Sequence, residues 1–194
     1  MLQKLLQIWR LKDLRKSILF VLAMLVIYRV AAHISIPGVD TAALKKFFGS
    51  SEIFGLLDIF TGGGMQTFSV VMLGVAPYIT SSIIFQLLTM IIPRLEEMSK
   101  EEDGRRRINQ YTRYLTPPLA ILQTFGTITI LQRSSQPVLG NLGFFDYASI
   151  LIIVTAGTMF LMWIGELISE KKIGNGISLL IFAGIVERLP SSFA

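Results

Sequence analysis

Cysteine is absent from the 194 residues of this sequence, and histidine occurs once, as His33. Without cysteine the protein has no disulfide, no thiolate ligand for a metal and no cysteine nucleophile. A single histidine also excludes a metal centre built from several histidines. We therefore expect neither a metal site nor a cofactor.

Charged residues are scarce as well, at 16% of the chain against about 25% in ordinary soluble proteins. Hydrophobic residues make up 52%, and they lie in long blocks rather than alternating with polar residues. This pattern excludes collagen-like, coiled-coil and largely disordered chains. It predicts an all-α integral membrane protein.

Five apolar blocks predict transmembrane helices, since a bilayer crossing takes about 20 residues of helix. The uncharged run from Ile59 to Pro93 is too long for one crossing, and three glycines at 62–64 interrupt it, because glycine disfavours helix. A short apolar helix is expected before these glycines, either within a protein cavity or on the outer leaflet. We place the spans at approximately 17–36, 67–92, 114–132, 147–167 and 176–193, and the last of these is marginal in length.

Lysine and arginine are concentrated on one side of the predicted spans. They lie before the first span, in the cytoplasmic loop 93–113, and between the fourth and fifth spans. Because positive charge marks the cytoplasmic side, the amino terminus is predicted to be cytoplasmic. Residues 1–16 place leucines and Trp9 at helical spacing, which predicts an amphipathic helix on the cytoplasmic surface or, alternatively, a frayed basic terminus. Residues 17–194 would then form the transmembrane region.

No set of side chains suited to catalysis is evident. The glycines at 62–64 do not form a phosphate-binding loop, since no Gly-Lys-Ser/Thr follows them. Ser81 and Ser82 have no histidine or lysine nearby in the sequence to activate them. We therefore expect that the protein is not an enzyme. A small-molecule transporter is also disfavoured, because the second to fourth spans lack ionisable groups near mid-membrane.

Several motifs closely resemble those of the SecY family, the channel subunits of the bacterial protein translocase. The resemblance covers nearly the whole chain. The motifs are Tyr28-Arg29, Ile36 to Asp40, Phe60 to Gly64, Leu73 to Leu88, Gly104 to Tyr114, Gly157 to Glu166 and Ile173 to Val186. One departure is large: the family has ten spans in two pseudo-symmetric halves, and this sequence stops after the fifth.

The resemblance implies a fold and a function. The fold would be one half of the SecY ten-helix pseudo-symmetric channel, with five transmembrane helices and a short plug helix. The function would be that of a protein-conducting channel subunit, which translocates secretory polypeptides across the bacterial plasma membrane and releases membrane helices laterally into it. The alternative is a non-conducting amino-terminal fragment or folding intermediate of that channel, which needs the absent carboxyl-terminal half.

The resemblance also implies an aliphatic pore ring. Val75 and Ile79 on the second span and Ile177 and Ile181 on the fifth would belong to it, and each pair lies on one helix face. Branched aliphatic side chains suit such a ring, because they offer no ligand to an ion and exclude water when it is closed. As residues of membrane helices, all four could instead contact lipid or a neighbouring helix.

The plug would lie beneath this ring and swing aside for a substrate, with glycines at both ends as hinges and with Asp58 facing water. The lateral gate would include Thr80, Ser81 and Gln86, although ordinary bonding between helices explains these polar groups equally well. The residues of the predicted plug are Gly55, Leu56, Leu57, Asp58, Ile59, Phe60, Thr61, Gly62, Gly63 and Gly64.

Arg105, Arg106 and Arg107 have two interpretations. The positive-inside rule alone accounts for them, or they contact an acidic partner surface or the phosphates of ribosomal RNA. The partners that the resemblance implies are the SecE and SecG subunits, the SecA ATPase or a translating ribosome, signal peptides and unfolded secretory chains, membrane lipid and the carboxyl-terminal half of SecY.

Overall fold

The structure, a computed structural model, describes residues 12–37, 44, 46, 58, 61, 63–133 and 143–192, with side chains from Asp13 to Val186. Within these ranges the only β-type pairing is an isolated bridge between Ser35 and Ser69. The predicted surface helix at 1–16 lies mostly outside the described residues. The helices are α1 (Lys12–Ala32), α2 (Ala76–Ile91), α3 (Pro93–Lys100), α4 (Glu102–Gln132), α5 (Phe144–Glu170) and α6 (Gly176–Ser192).

One side of α1 is apolar and exposed, and the other side packs against the rest of the protein. Tyr28 and Ala32 lie on the buried side. Asp13 in the first turn and Arg29 in the last turn complement the helix dipole. An exposed apolar face on a helix of this length suits lipid or a protein partner rather than water. The exposed residues at helical spacing are Leu19, Leu22, Val26 and Val30.

The second predicted span, 67–92, is helical only from Ala76, so its helix is shorter than predicted. Residues 63–75 form consecutive turns apart from the bridge at Ser69. Phe68 and Gly74 have positive φ angles of 45° and 57°, which interrupts a right-handed helix. Pro77 then occupies the first turn of α2, where the missing N–H leaves no helical bond unmade.

The predicted loop 93–113 is helical over nearly its whole length. α3 bends away from α2 by 107° at Pro93, because proline pushes the preceding residue, Ile92, into an extended conformation. α4 then begins at Glu102, well before Tyr114, where the third span was predicted to start. The predicted loop therefore consists of α3 and the first turns of α4, and α4 continues without a break into the predicted third span.

An exposed ion pair spans one turn of α3. The Lys100 Nζ lies 2.8 Å from the Glu96 Oε1. The hydrogen bond between them and the attraction of their opposite charges lower the pKa of Glu96 and raise the pKa of Lys100. Because both side chains are mostly exposed, the pair contributes little to stability.

A stripe consisting mostly of small and threonine residues lines the buried face of α4, at intervals of four or eight residues. Such residues allow neighbouring helix backbones to approach closely, and α4 packs mainly against α2 and α5. Pro117 and Pro118 lie within this helix. The Thr116 hydroxyl donates a 2.8 Å hydrogen bond to the Thr112 carbonyl beside them. The buried stripe consists of Gly104, Thr112, Thr116, Ala120, Thr124 and Ile128.

α5 and α6 form a closely packed hairpin. A Cβ added to Gly176, at the start of α6, would overlap the Gly165 carbonyl of α5. The Ser169 hydroxyl donates to that carbonyl at 2.9 Å and accepts the N–H of Gly176 at 2.8 Å. The Asn175 side chain caps α6 by accepting the N–H of Ile177 at 3.0 Å. The glycines therefore bring the first turn of α6 directly against α5.

Within the described part of the chain, α4 and α5 are each long and apolar enough to cross a bilayer, and the bent α2–α3 pair would be a third crossing. The apolar part of α6 is shorter. The described part of the chain thus confirms an all-helical architecture with two or three helices that are long and apolar enough to cross a membrane. The count of five spans and a plug remains a prediction.

Candidate functional site

The four residues predicted to form the pore ring come from two distant segments and meet in one apolar cluster. Val75, directly before α2, is buried in this cluster, and Ile79, Ile177 and Ile181 pack against it. Gly74 just before Val75 and the α5–α6 hairpin position these segments. The cluster also includes Tyr28 of α1, so three parts of the chain surround the predicted ring residues.

An open cavity of about 380 Å³ adjoins these residues. Ile79, Ile177 and Ile181 line it, and so does Ile83. Most of the other lining side chains are polar, and we call the part of the cavity near Gln86 and Glu166 its polar end. The polar lining residues are Tyr78, Ser82, Gln86, Glu166, Ser169, Asn175 and Ser178. The cavity could hold water and peptide groups beside aliphatic side chains.

The packing is tight on the side where Val75 lies. Val75, Ile181 and Tyr28 border a space of only about 10 Å³, which is close to the smallest volume that holds one water molecule. Little space therefore remains between Val75, Ile181 and Tyr28.

The described part of the predicted plug consists of Asp58, Thr61, Gly63 and Gly64. Asp58 is fully buried, so the expectation that it faces water is wrong. Its Oδ1 accepts the N–H of Gln66 at 3.0 Å, and its carbonyl accepts the N–H of Gly63 at 2.9 Å. The first bond engages one carboxylate oxygen, and the second engages the backbone of the same residue. Gly55, Leu56, Leu57, Ile59, Phe60 and Gly62 lie outside the described residues.

Thr61 links this turn to the predicted ring. The Tyr28 hydroxyl donates a 3.4 Å hydrogen bond to the Thr61 carbonyl. A Cβ on Gly74 would be 3.6 Å from the Thr61 Cα, so Gly74 and Thr61 are in close contact. Thr61 therefore contacts Gly74, which is the residue directly before Val75.

The three residues predicted for the lateral gate do not lie together. Ser81 is buried and donates a 2.7 Å hydrogen bond to the Thr112 carbonyl of α4. Thr80 accepts a 3.4 Å hydrogen bond from Gln123 of α4. Gln86 instead is exposed and lines the polar part of the 380 Å³ cavity. Bonding between α2 and α4 thus accounts for Thr80 and Ser81, and the role of all three in a gate remains a prediction.

An ion pair at the polar end was not predicted from the sequence. The Arg113 guanidinium of α4 lies 2.5 Å from the Glu166 carboxylate of α5. In the sequence, the pair was indicated only by the position of both residues at predicted cytoplasmic ends of spans. Arg113 and Glu166 also border a second, polar cavity of about 640 Å³. Arg106 lines this cavity as well, whereas Arg105 and Arg107 are simply exposed.

A protein-family model described as SecY matches residues 69–194, which include all four predicted ring residues. The chain belongs to the SecY family. The resemblance that the motifs indicated is thereby confirmed. The matched region runs from the turns before α2 to the end of the chain.

Curated SecY proteins are similar along almost the whole of this chain. It is 46% identical over 189 residues to the protein translocase subunit SecY of Escherichia coli (strain K12), covering 95% of this chain and 43% of that protein. It is 44% identical over 191 residues to the same subunit of Corynebacterium glutamicum, covering 92% and 43%. For Buchnera aphidicola subsp. Acyrthosiphon kondoi the values are 45% over 189 residues, 95% and 53%. The chain thus spans about half, or less, of these SecY relatives.

Proposed function

We propose that this chain forms the amino-terminal half of a protein-conducting channel, which moves secretory polypeptides across the bacterial plasma membrane and releases membrane helices into it. One observation carries the proposal: Val75, Ile79, Ile177 and Ile181 meet in one apolar cluster, and the last three also line an open cavity that has many polar side chains. An aliphatic constriction resists ions when idle and adapts to side chains of different shapes. The other half of the ring would come from the carboxyl-terminal half of SecY.

The membrane arrangement proposed for this half-channel has five spans and a cytoplasmic amino terminus. The polar end of the cavity would then face the cytoplasm, because Gln86 and Glu166 lie toward the cytoplasmic ends of their spans. An entering polypeptide would meet this end first. The plug, including Asp58 and Thr61, would close the opposite, outer side of the ring.

The energy for transport would come from partners, since no catalytic group has been identified in the chain. The proposed partners are the SecA ATPase or a translating ribosome, with the SecE and SecG subunits completing the channel in membrane lipid. Arg105, Arg106 and Arg107 would contact a partner at the cytoplasmic surface. Thr80, Ser81 and Gln86 would lie along the gate through which signal peptides reach lipid, with Thr80 and Ser81 holding α2 to α4.

The orientation is testable by labelling single cysteines, since the chain has no cysteine of its own. Glu97 of α3, in the predicted cytoplasmic loop, and Gln132 at the far end of α4 are both exposed, and the predicted third span lies between them. In cells whose plasma membrane is intact and whose outer membrane is absent or has been removed, a membrane-impermeant maleimide should label Gln132→Cys. The Glu97→Cys variant should be labelled only after the membrane is opened. The reverse pattern would contradict the proposed orientation.

The function is testable in cells depleted of their own SecY. This chain and the complementary carboxyl-terminal half of a SecY relative should together restore secretion of a reporter protein, measured as cleavage of its signal peptide. Each half alone should restore none, because each supplies only half of the ring. Secretion that stays absent with both halves present and assembled would support the alternative, a non-conducting fragment.

A further inference from the structure

Glu166 of α5 lies between two cavities. It lines the cavity of about 380 Å³, which also borders Ile79 and Ile181 of the predicted ring, and it lines the polar cavity of about 640 Å³ as well. Among the described residues, Tyr78 and Ser169 are the others that line both cavities. Glu166 therefore belongs to the wall that separates the two spaces.

One charged side chain lines the 380 Å³ cavity within the described part of the chain, and it is Glu166. The other lining residues are aliphatic, small or neutral and polar. Arg113 offsets this charge, since its guanidinium lies 2.5 Å from the Glu166 carboxylate. Arg113 itself lines the 640 Å³ cavity and not the 380 Å³ cavity. It can therefore neutralise the carboxylate without adding a positive charge to the wall beside the ring.

The backbone beside each member of this ion pair is held by packing. Thr112, directly before Arg113, is buried, and its carbonyl accepts the Ser81 hydroxyl of α2 at 2.7 Å. Gly165, directly before Glu166, is buried in α5. Both charged side chains thus start from fixed positions on neighbouring helices. The pair is a defined contact between α4 and α5 rather than a chance meeting of two long side chains.

The charges around the 640 Å³ cavity are balanced in the same way. Its described lining contains two arginines, Arg106 and Arg113, and two glutamates, Glu166 and Glu170, so their formal charges sum to zero. In both cavities the described lining thus has no net charge once Arg113 is paired with Glu166. Loss of Arg113 would leave one uncompensated carboxylate in a partly buried wall, where a charge acts more strongly than in bulk water.

We propose that Arg113 is a specificity-determining residue of the channel. By pairing with Glu166, it keeps this wall of the polypeptide path without net charge, so that acidic and basic segments of a secretory chain pass at similar rates. This inference rests on the proposed function. An unpaired Glu166 would repel acidic segments at the approach to the ring, and it would attract basic ones.

Loss of Arg113 should make transport depend on the charge of the substrate. Vesicles would contain this chain, the complementary half of SecY and its partner subunits. The substrates would be two forms of one secretory protein, which differ in a short run of glutamates or of glutamines. Arg113→Gln should lower the rate for the glutamate form about fivefold relative to the glutamine form. Added salt should reduce this difference, since it screens partly exposed charges.

Removing both charges should restore the parent behaviour. The ratio of the two rates should return to within about twofold of the parent in Arg113→Gln combined with Glu166→Gln, and it should stay there in Arg113→Lys, which retains the charge. Lys100→Gln is the matched control, because it breaks the exposed ion pair with Glu96, and neither of these residues lines either cavity. This control should leave the ratio unchanged.

Two results would overturn the proposal. Equal slowing of both substrate forms in Arg113→Gln would mean that the ion pair serves only to hold α4 against α5. A ratio that stays low in the double variant would mean that the Glu166 carboxylate is not the group that repels acidic segments. An unsubstituted assembly that transports neither form would instead contradict the proposed function.

An added carboxylate provides an independent test if Arg113→Gln prevents assembly. Ser82 lines the 380 Å³ cavity from α2, so it is on a different helix from either member of the pair. Ser82→Asp would place an unpaired carboxylate in the same wall, and it should lower the relative rate of the glutamate form by a similar factor. Ser82→Asn, which is similar in size and uncharged, should stay near the parent. An unchanged ratio in Ser82→Asp would overturn the proposal.

Discussion

Gly157→Ala should destabilise the protein by about 3 kcal/mol, among the larger effects expected of a single methyl group. Gly157 of α5 lies directly on the backbone of Val70, and an added Cβ would overlap the Val70 carbonyl. A carbonyl in the packed turns before α2 has no rotamer to change, so α5 would have to move away. The turns that carry Val75 would lose their support. Thermal unfolding of the purified protein in detergent measures the effect.

Gly126→Ala is the matched control, in the middle of α4. No atom lies within 4 Å of a Cβ added there, and alanine favours helix over glycine by up to about 1 kcal/mol. We expect this variant to unfold at the parent temperature or slightly above. Equal unfolding temperatures for the Gly157 and Gly126 variants would mean that the close contact between α5 and Val70 is absent in the protein.

Ile79→Ser combined with Ile181→Ser should raise the ion leak of the idle channel by about tenfold or more, since hydroxyl groups allow water into a constriction that aliphatic groups keep dry. Both residues belong to the predicted pore ring, pack against the apolar cluster and line the open cavity. Potassium release from vesicles that contain the assembled channel measures the leak.

Ile83→Ser is the matched control for this prediction. Ile83 lies one turn beyond Ile79 on the same face of α2 and lines the same cavity, but it is exposed and does not belong to the apolar cluster. Its replacement should leave the leak within about twofold of the parent, because water already reaches that part of the cavity. A similar leak in the Ile79 and Ile83 variants would show that the barrier to ions does not lie at the ring.

Hydrophobic blocks in the sequence predict the apolar helices well and their polar extensions poorly. The fourth and fifth predicted spans, 147–167 and 176–193, coincide closely with α5 and α6. α4 begins at Glu102 instead of near Tyr114, because its first three turns are helical but charged. Hydropathy marks the part of a helix that would lie in lipid, so it does not detect helix that projects into water.

The turns before α2 could not be predicted from local pattern. Phe68 belongs to an apolar run that favours helix, yet its φ angle is positive. The bridge of Ser35 with Ser69 and the close approach of Gly157 to Val70 fix this conformation. Both contacts join residues far apart in sequence, and a single sequence does not reveal them.

For the candidate site, the spacing of residues in the sequence predicted which of them share a helix face, but it did not predict which side chains are buried. The spacing of four residues predicted that Ile177 and Ile181 share a helix face, and both pack against the cluster that contains Val75, which itself lies just before α2. The role of these residues in a pore ring stays a prediction. The burial of Asp58 could not be predicted from the sequence, because its acceptance of the Gln66 N–H depends on the turn that the glycines make. The pairing of Arg113 with Glu166 could likewise not be predicted from the sequence, since it depends on how α4 packs against α5.

Crosslinking of a stalled secretory chain tests the central claim, that the four aliphatic residues surround the path of a polypeptide. A photo-reactive residue would replace Ile79, Ile181 or Phe182 in the chain assembled with the complementary half of SecY. Phe182 neighbours Ile181 but is 62% exposed on the outside of α6. We predict crosslinks from Ile79 and Ile181, weak or no crosslinks from Phe182, and none without the complementary half. Crosslinks from Phe182 as strong as those from Ile181, or none from Ile181 in an assembly that transports, would contradict the account.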